Sequence, residues 1–134
     1  MPTLRQYSVF ICHDWEYGDD YRRIEWFLSD APNFRWKNLS VPEHDPLDTD
    51  DQLEYNLRNQ MRPAEIMLVL GGMYTSRSRW MDFEMSFARR IGKPIIGIAP
   101  WGARVLPRVV QNNAVEIVGW QQQSIVDAIR RNAP

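Results

Sequence analysis

The five residues Ile66–Leu70 (IMLVL), followed by Gly71-Gly72, decide the fold of this chain. A continuous apolar run bounded by glycine is typical of a central strand that is covered on both faces. Such strands occur in parallel sheets, whose crossover connections place helices on the two faces. We therefore expect strands and helices to alternate on both sides of this run.

Outward from the central run, short apolar stretches alternate with helical patterns. The predicted strands cover residues 7–12, 34–39, 66–70, 94–99 and 114–118. Helices are predicted from Asp19 or Asp20 to the Ala31-Pro32-Asn33 turn, from about 51 to Pro63, over 78–90 and over 124–131, with a helical turn at 106–112. This order predicts an α/β, flavodoxin-like three-layer fold: a five-stranded parallel sheet of order 2-1-3-4-5 with helices on both faces.

The composition fits one domain over residues 1–134 and argues against several classes of protein. Sixteen Lys+Arg against 17 Asp+Glu give a net charge of −1, which disfavours a broadly basic nucleic-acid binder. The apolar runs are too short to cross a membrane, and the opening MPTLRQYS lacks the pattern of a signal peptide. One cysteine makes no internal disulfide, so we expect a cytoplasmic protein. The chain has two histidines and one cysteine, too few for a typical structural zinc site, so we expect no metal site.

The ends of the predicted strands mark the place for a site. Ligands of such a sheet bind beyond the carboxyl ends of the strands, near the switch point beside strand 1. The residues at these ends include His13, Asp14, Ser40 and the Gly71-Gly72 backbone. Each also has a plain structural role open to it, such as capping a helix or ending a strand.

Several chemistries of this architecture do not fit the strand ends. Strand 3 ends in glycine, where a phosphate-accepting receiver domain needs Asp. The acidic stretch CHDWEYGDD after strand 1 would repel a flavin phosphate, and neither GxGxxG nor GxxxxGK[ST] occurs. Cys12 and His13 are adjacent in a strand and point to opposite faces, so they make a poor nucleophile pair.

The third predicted helix carries the most informative residue, Glu84. A stripe at helical spacing holds this glutamate together with apolar residues: Trp80, Glu84, Phe87, Ala88 and Ile91. With Ser78 as the N-cap, Glu84 lies beyond the first turn, too late for a capping box. A carboxylate on an apolar stripe is unfavourable unless it has partners. Either Glu84 pairs with Arg79, Arg89 or a backbone N–H, or it has a chemical role.

Five segments in order resemble the prokaryotic TIR-like domains, specifically the small stand-alone type of the Thoeris anti-phage systems. They are Val9-Phe10-Ile11-Cys12-His13, with Cys12 in place of the common serine; Ser40; residues 66–72; Ser78-Arg79-Trp80-Met81-Asp82-Phe83-Glu84, which matches Ser-x-Trp-x-x-x-Glu; and residues 92–98, GKPIIGI. Together they extend over about residues 7–100.

The resemblance implies an enzyme that cleaves the nicotinamide–ribose bond of NAD, with NAD as substrate and no cofactor. The products would be nicotinamide and ADP-ribose or a cyclic ADP-ribose-type signal in anti-phage defence. Glu84 matches the catalytic glutamate of the family, and Trp80 could wall the pocket or simply pack in the core. The strand-end residues His13, Asp14, Ser40, Gly71 and Gly72 would contact the dinucleotide.

The resemblance also implies partners. Family members form homo-oligomers on activation, using the segment that corresponds to residues 41–51, and a separate effector senses the nucleotide signal. The plain alternative for residues 41–51 is a solvated loop. A phosphate-binding patch is hard to name, with Arg77, Arg79 and Arg104 as candidates.

Two other functions stay open at this point. A non-catalytic TIR-like protein–protein interaction module would oligomerise and be indifferent to Glu84. A nucleoside deoxyribosyltransferase-like enzyme, which uses a glutamate nucleophile on a related fold, would transfer deoxyribose between bases and leave NAD intact.

Overall fold

The structure is a computed structural model of the 134-residue chain, and it describes residues 4–12, 18–40, 49–70, 79–99 and 106–134. Five strands and five helices alternate within these ranges. The strands are β1 (Gln6–Cys12), β2 (Arg35–Asn38), β3 (Ile66–Leu70), β4 (Ile95–Ile98) and β5 (Glu116–Val118). The helices are α1 (Gly18–Asp30), α2 (Asp50–Met61), α3 (Arg79–Arg90), α4 (Arg108–Asn113) and α5 (Gln122–Asn132).

The strands form one parallel sheet in the order β2-β1-β3-β4-β5. The central strand β3 pairs with β1 through Val9 opposite Ile66, and with β4 through Met67 opposite Ile95. Every residue of β3 is buried, as the run IMLVL predicts for a strand covered on both faces. The predicted α/β fold and its strand order 2-1-3-4-5 are confirmed.

Alternation along the strands divides the core between the two faces of the sheet. On one face the odd-numbered residues of β1 and the even-numbered residues of β3 and β4 pack on α1 and α5. We call this set the α1/α5 cluster. Its buried members in these five elements are Val9, Ile11, Tyr21, Ile24, Leu28, Ile66, Leu68, Leu70, Ile96, Ile98, Ile125, Val126, Ala128 and Ile129.

The other face of the sheet packs on α2, α3 and α4, and we call its core the α2/α3/α4 cluster. Its buried members in the strands and helices are Phe10, Cys12, Leu53, Leu57, Met61, Met67, Val69, Met81, Met85, Phe87, Ala88, Ile95 and Val110. Four of these side chains are methionines, whose flexible thioethers fill irregular space.

Local signals explain where two helices begin and end. Helix α2 begins one residue before the predicted start, because Thr49 and Gln52 form a capping box at its N-terminus. Helix α3 ends at Arg90 and is followed at the C′ position by Gly92, which adopts a left-handed φ of 75° that glycine tolerates best. Lys93 N donates to Ala88 O at 2.9 Å and Gly92 N to Arg89 O at 3.2 Å, the two bonds of a Schellman motif. The predicted C′ glycine is confirmed.

Two elements at the end of the chain differ from the predicted bounds. The predicted strand 114–118 is shortened to Glu116–Val118, because Ala114 N donates to Val110 O and thereby terminates α4. Helix α5 begins at Gln122, two residues before the predicted start. No helix in the described ranges combines the length and apolar character that a membrane crossing requires.

Candidate functional site

Helix α3 carries the candidate catalytic residue on its buried face. The buried residues of α3 are Met81, Glu84, Met85, Phe87 and Ala88. Trp80 and Ile91, which the sequence placed on this stripe, are only half-buried and lie at its flanks. The buried stripe instead includes Met81 and Met85, whose flexible side chains pack in the α2/α3/α4 cluster.

Glu84 is buried almost completely, with 2% of its surface exposed. Among the residues that the structure describes, it is the one charged or polar residue in the fully buried class. Its Oε2 has no hydrogen-bond partner within those ranges. Burying a polar atom without a partner costs about 1–3 kcal/mol, so this position is unfavourable for folding alone.

The two arginines that offered Glu84 a structural pairing bind elsewhere. Arg79 donates to Asp50 Oδ2 at 2.8 Å, and Arg89 donates to Asn112 O at 3.2 Å. Glu84 is the sixth residue of α3, and no backbone N–H in the described ranges donates to its Oε2. The pairing alternative with these arginines is therefore not what the structure shows.

Within the described ranges, the titratable side chain that acts on Glu84 is Cys12, the last residue of β1. Cys12 is 0% exposed, and its Sγ lies 3.8 Å from Met81 O in the turn that precedes Glu84. Burial raises the pKa of the Cys12 thiol well above its ordinary value, and the nearby Glu84 carboxyl raises it further. The thiol therefore keeps its proton and acts as a hydrogen-bond donor.

Burial also controls the ionisation of Glu84. Desolvation raises the pKa of the Glu84 carboxyl to about 8, while a hydrogen bond from Cys12 acts in the opposite direction and lowers it. A carboxyl with this pKa exchanges its proton close to neutral pH, where a catalytic acid or base works best. A strongly shifted carboxyl in a buried position is a marker of a functional site.

Glu84 lies against the carboxyl end of β1, beside the switch point between β1 and β3. The connection that follows β1 leads to β2, on one side of the sheet, and the connection that follows β3 leads to β4, on the other side. The direction of the crossovers therefore changes between β1 and β3. Open α/β sheets bind their ligands in the crevice at this point. The position of Glu84 therefore agrees with the place predicted for a site.

A comparison with protein families identifies the family of this chain. The family model described as the TIR-like domain of Thoeris protein ThsB matches residues 10–105, more than half of the chain. The chain belongs to the Thoeris ThsB TIR-like family. This match confirms the family that the five segments resemble, and it includes β1 from Phe10 to Cys12 and the whole of α3.

A solved structure shares the architecture of this TIR-like domain. It is that of the CMP N-glycosidase BcmB from Clostridium botulinum, with a TM-score of 0.57 and 16% sequence identity. The match covers 92% of this chain and 98% of the BcmB chain. At this identity the likeness shows the fold. No curated protein sequence matches the chain.

The other predicted site residues of the TIR-like domain divide into two groups. His13, Asp14, Gly71, Gly72, Arg77 and Arg104 lie outside the described residues, as does the segment 41–48. Ser40, Trp80 and Arg79 lie inside them. The structure thus describes the positions of these three residues in addition to Glu84.

Ser40 extends the pairing between β1 and β2. Its Oγ accepts a hydrogen bond of 2.8 Å from Ile11 N, in place of the backbone carbonyl that a longer β2 would offer. Its own N–H donates to Asn38 Oδ1 at 2.9 Å. The side chain is half-buried at the carboxyl edge of the sheet, so its predicted contact with substrate stays a prediction.

Trp80 lies one turn before Glu84 and belongs to an aromatic row along α3. Its ring meets that of Phe83 edge-to-face at a centroid distance of 5.9 Å, and Phe83 stacks on Phe87 at 6.3 Å. The Arg79 guanidinium covers the Trp80 ring at 4.7 Å. Trp80 packs against the α2/α3/α4 cluster and stays half-buried, which fits the core-packing interpretation.

Two surface grooves in the described ranges lie away from Glu84. One, of about 350 Å³, is lined by α2 residues Asp51, Gln52, Tyr55 and Asn56. The other, of about 470 Å³, lies between α1 and β2. Neither contains a buried, unpartnered polar group, so neither competes with Glu84 as a catalytic position.

Sequence reasoning missed Cys12 as a neighbour of Glu84. The signal was present, because Phe10 and Cys12 alternate with Val9 and Ile11 and so share the face that α3 covers. The register between Cys12 and Met81, 69 positions apart in the chain, is a tertiary contact that alternation alone does not give.

Proposed function

We propose that this TIR-like domain cleaves the N-glycosidic bond of NAD, with Glu84 as the catalytic carboxylate. The observation that carries the proposal is the buried Glu84 carboxyl, whose Oε2 lacks a partner in the described ranges, at the carboxyl end of β1. Membership of the Thoeris ThsB TIR-like family supports it, as does the fold shared with an enzyme described as a CMP N-glycosidase.

Cleavage of the nicotinamide–ribose bond requires mainly a negative charge close to the ribose. As the bond between C1′ and the nicotinamide nitrogen breaks, its electron pair neutralises the pyridinium ring, and nicotinamide leaves without a general acid. Positive charge then develops on the ribose as an oxocarbenium ion. A carboxylate in a water-poor site stabilises that charge more strongly than one in bulk water. Water attack at C1′ gives ADP-ribose and releases a proton, whereas attack by an atom of the same nucleotide gives a cyclic product.

The raised pKa of Glu84 suits a cationic substrate. Without substrate, a carboxyl with a pKa of about 8 is largely protonated at neutral pH. A positively charged nicotinamide ring beside it favours the ionised form, so binding and ionisation reinforce one another. The active species is the carboxylate. Because Glu84 is buried, water does not screen the attraction between its charge and the ribose cation.

A pyrimidine nucleotide is the second candidate substrate, favoured by the shared fold with the CMP N-glycosidase. A neutral base leaves poorly unless it is protonated, and a carboxyl with a pKa of about 8 can donate that proton at neutral pH. The two candidates require opposite protonation states of Glu84. Their rates therefore depend on pH in opposite directions.

Membership of the Thoeris family supports a role in defence, and the proposal extends to its partners. In a Thoeris defence context, the product acts as a nucleotide signal for a separate effector, and the active form is a homo-oligomer in the cytoplasm. A TIR-like domain that works only as an interaction module would need neither a buried carboxyl nor a nucleotide. The response of the activity to Glu84 separates these two functions.

The test compares nucleotides in cells that express the wild type, Glu84→Gln or Glu54→Gln, with and without phage infection. Glu54 is a matched control, since it lies on the neighbouring α2 and pairs with Arg58 at the surface. We expect infection to cause NAD loss and an ADP-ribose-type product with the wild type and Glu54→Gln. Glu84→Gln should reduce the rate about 100- to 1,000-fold. Equal turnover by Glu84→Gln would overturn the assignment of Glu84.

A further inference from the structure

The buried thiol of Cys12 faces helix α3 beside Met81 and Glu84. Its Sγ lies 3.8 Å from Met81 O, three residues before Glu84 on the buried face of α3. The thiol carries no charge of its own there, and it and the Glu84 carboxyl act on each other's pKa. Met81 O lies inside α3, where the N–H of Met85 in the next turn satisfies it. The Glu84 carboxyl lacks such a donor, since its Oε2 has no hydrogen-bond partner in the described ranges. Ionised carboxylates are also the stronger acceptors.

We propose that Cys12 is a positioning residue for Glu84: its single S–H turns from Met81 O to the Glu84 carboxyl when that carboxyl ionises, and it holds the carboxylate in its catalytic orientation. This inference rests on the proposed function of Glu84. It assigns Cys12 no contact with the substrate and no nucleophilic role. The S–H proton stays on sulfur throughout.

The other charged groups near Glu84 in the described ranges have different partners. On α3 itself, Asp82 acts on the Cys12 thiol and raises its pKa. On α2, Asp50 pairs with Arg79 and Glu54 with Arg58. The buried residues of β3 and β4 that face α3 are the apolar Met67, Val69 and Ile95. Within the described ranges, Cys12 is thus the one titratable side chain whose hydrogen bond acts on the pKa of Glu84.

Two variants separate the hydrogen bond from the packing. Cys12→Ala removes the donor, and Cys12→Ser keeps a donor of similar size at the same place. The hydrogen bond from Cys12 lowers the pKa of Glu84, so Cys12→Ala should raise that pKa and Cys12→Ser should keep it at or below the wild-type value. A purely structural role of Cys12 would affect stability and leave the titration of Glu84 unchanged.

The experiment titrates the Glu84 carboxyl by ¹³C NMR in the full-length chain, with the resonance assigned by its absence in Glu84→Gln. In parallel, kcat/KM is measured at pH 7 with NAD. We expect Cys12→Ala to lower kcat/KM about three- to tenfold through its effect on kcat, and Cys12→Ser to restore it. Unfolding at pH 6 measures the packing defect of each variant separately.

The outcomes decide the two proposals independently. If Glu84 titrates at the same pH in the wild type, Cys12→Ala and Cys12→Ser, the positioning role of Cys12 is wrong, whatever the enzyme does to NAD. If Cys12→Ala shifts the titration upward and Cys12→Ser reverses the shift, the coupling is supported. If that shift occurs while the wild type and Glu84→Gln give equal turnover, the proposed function of Glu84 fails and the thiol–carboxyl coupling remains.

Discussion

The two faces of the sheet differ in how their buried polar groups are satisfied. The α1/α5 cluster is built mainly from aliphatic side chains, and the hydroxyl of its Tyr21 accepts a hydrogen bond of 2.7 Å from Asn38. The α2/α3/α4 cluster encloses a carboxyl and a thiol among its methionines, and Oε2 of that carboxyl lacks a partner in the described ranges. One face satisfies its polar atoms and stabilises the fold. The other holds a destabilising group at the end of a strand, as functional sites do.

At pH 6, the largest expected effect on stability comes from the α1/α5 cluster. Leu28 is 0% exposed on α1, so Leu28→Ala removes apolar contacts and leaves a cavity. We expect a loss of about 3 kcal/mol in the free energy of unfolding, with kcat per folded molecule unchanged. Urea unfolding measures the first quantity and nucleotide turnover the second.

Arg23→Ala, at an exposed position of the same helix, is the control for Leu28→Ala and should change stability by less than about 0.5 kcal/mol. If Leu28→Ala reduced kcat of the folded protein as strongly as it reduced stability, the two faces would not be functionally distinct.

An effect of opposite sign, smaller at pH 6 but growing with pH, is expected in the α2/α3/α4 cluster. The pKa of Glu84 is raised from 4.5 to about 8, so the native state binds this proton more tightly than the unfolded chain does. The stabilisation is fully present below pH 4.5 and is lost as the pH rises to about 8, at about 1.4 kcal/mol per pH unit. Glu84→Gln cannot ionise, so it should already be more stable than the wild type at pH 6 by about 2 kcal/mol, and the difference should grow as the pH rises further.

Urea unfolding of both proteins between pH 4.5 and 8.5 checks this difference. The wild type should lose stability relative to Glu84→Gln as the pH rises, and the two should converge toward the acid end of the range. Parallel curves over the whole range would mean that Glu84 is not buried as a titrating carboxyl.

Much of this comparison could be predicted from the sequence. The run Ile66–Leu70 predicts the doubly covered strand, and alternation along β1 assigns its side chains to two faces. The stripe on α3 places Glu84 on the buried side. These features depend on local periodicity, which the order of residues contains directly.

The remaining features depend on contacts between distant parts of the chain. The pairing of Arg79 with Asp50 joins residues 29 positions apart, and it removes a structural partner from Glu84. The contact of Cys12 with Met81 depends on how α3 lies across the sheet. Periodicity gives the face of each element but not the register between elements, so the isolation of the Glu84 carboxyl was not predictable from the sequence.

The pH dependence of kcat/KM for nicotinamide release from NAD tests the central claim most directly. If the Glu84 carboxylate stabilises the developing ribose cation, kcat/KM rises about tenfold per pH unit below the pKa of about 8 and is level above it. Glu84→Gln should show a low rate without this rise. A wild-type rate that is level or falls between pH 6 and 9 would contradict the claim that the ionised Glu84 performs the reaction.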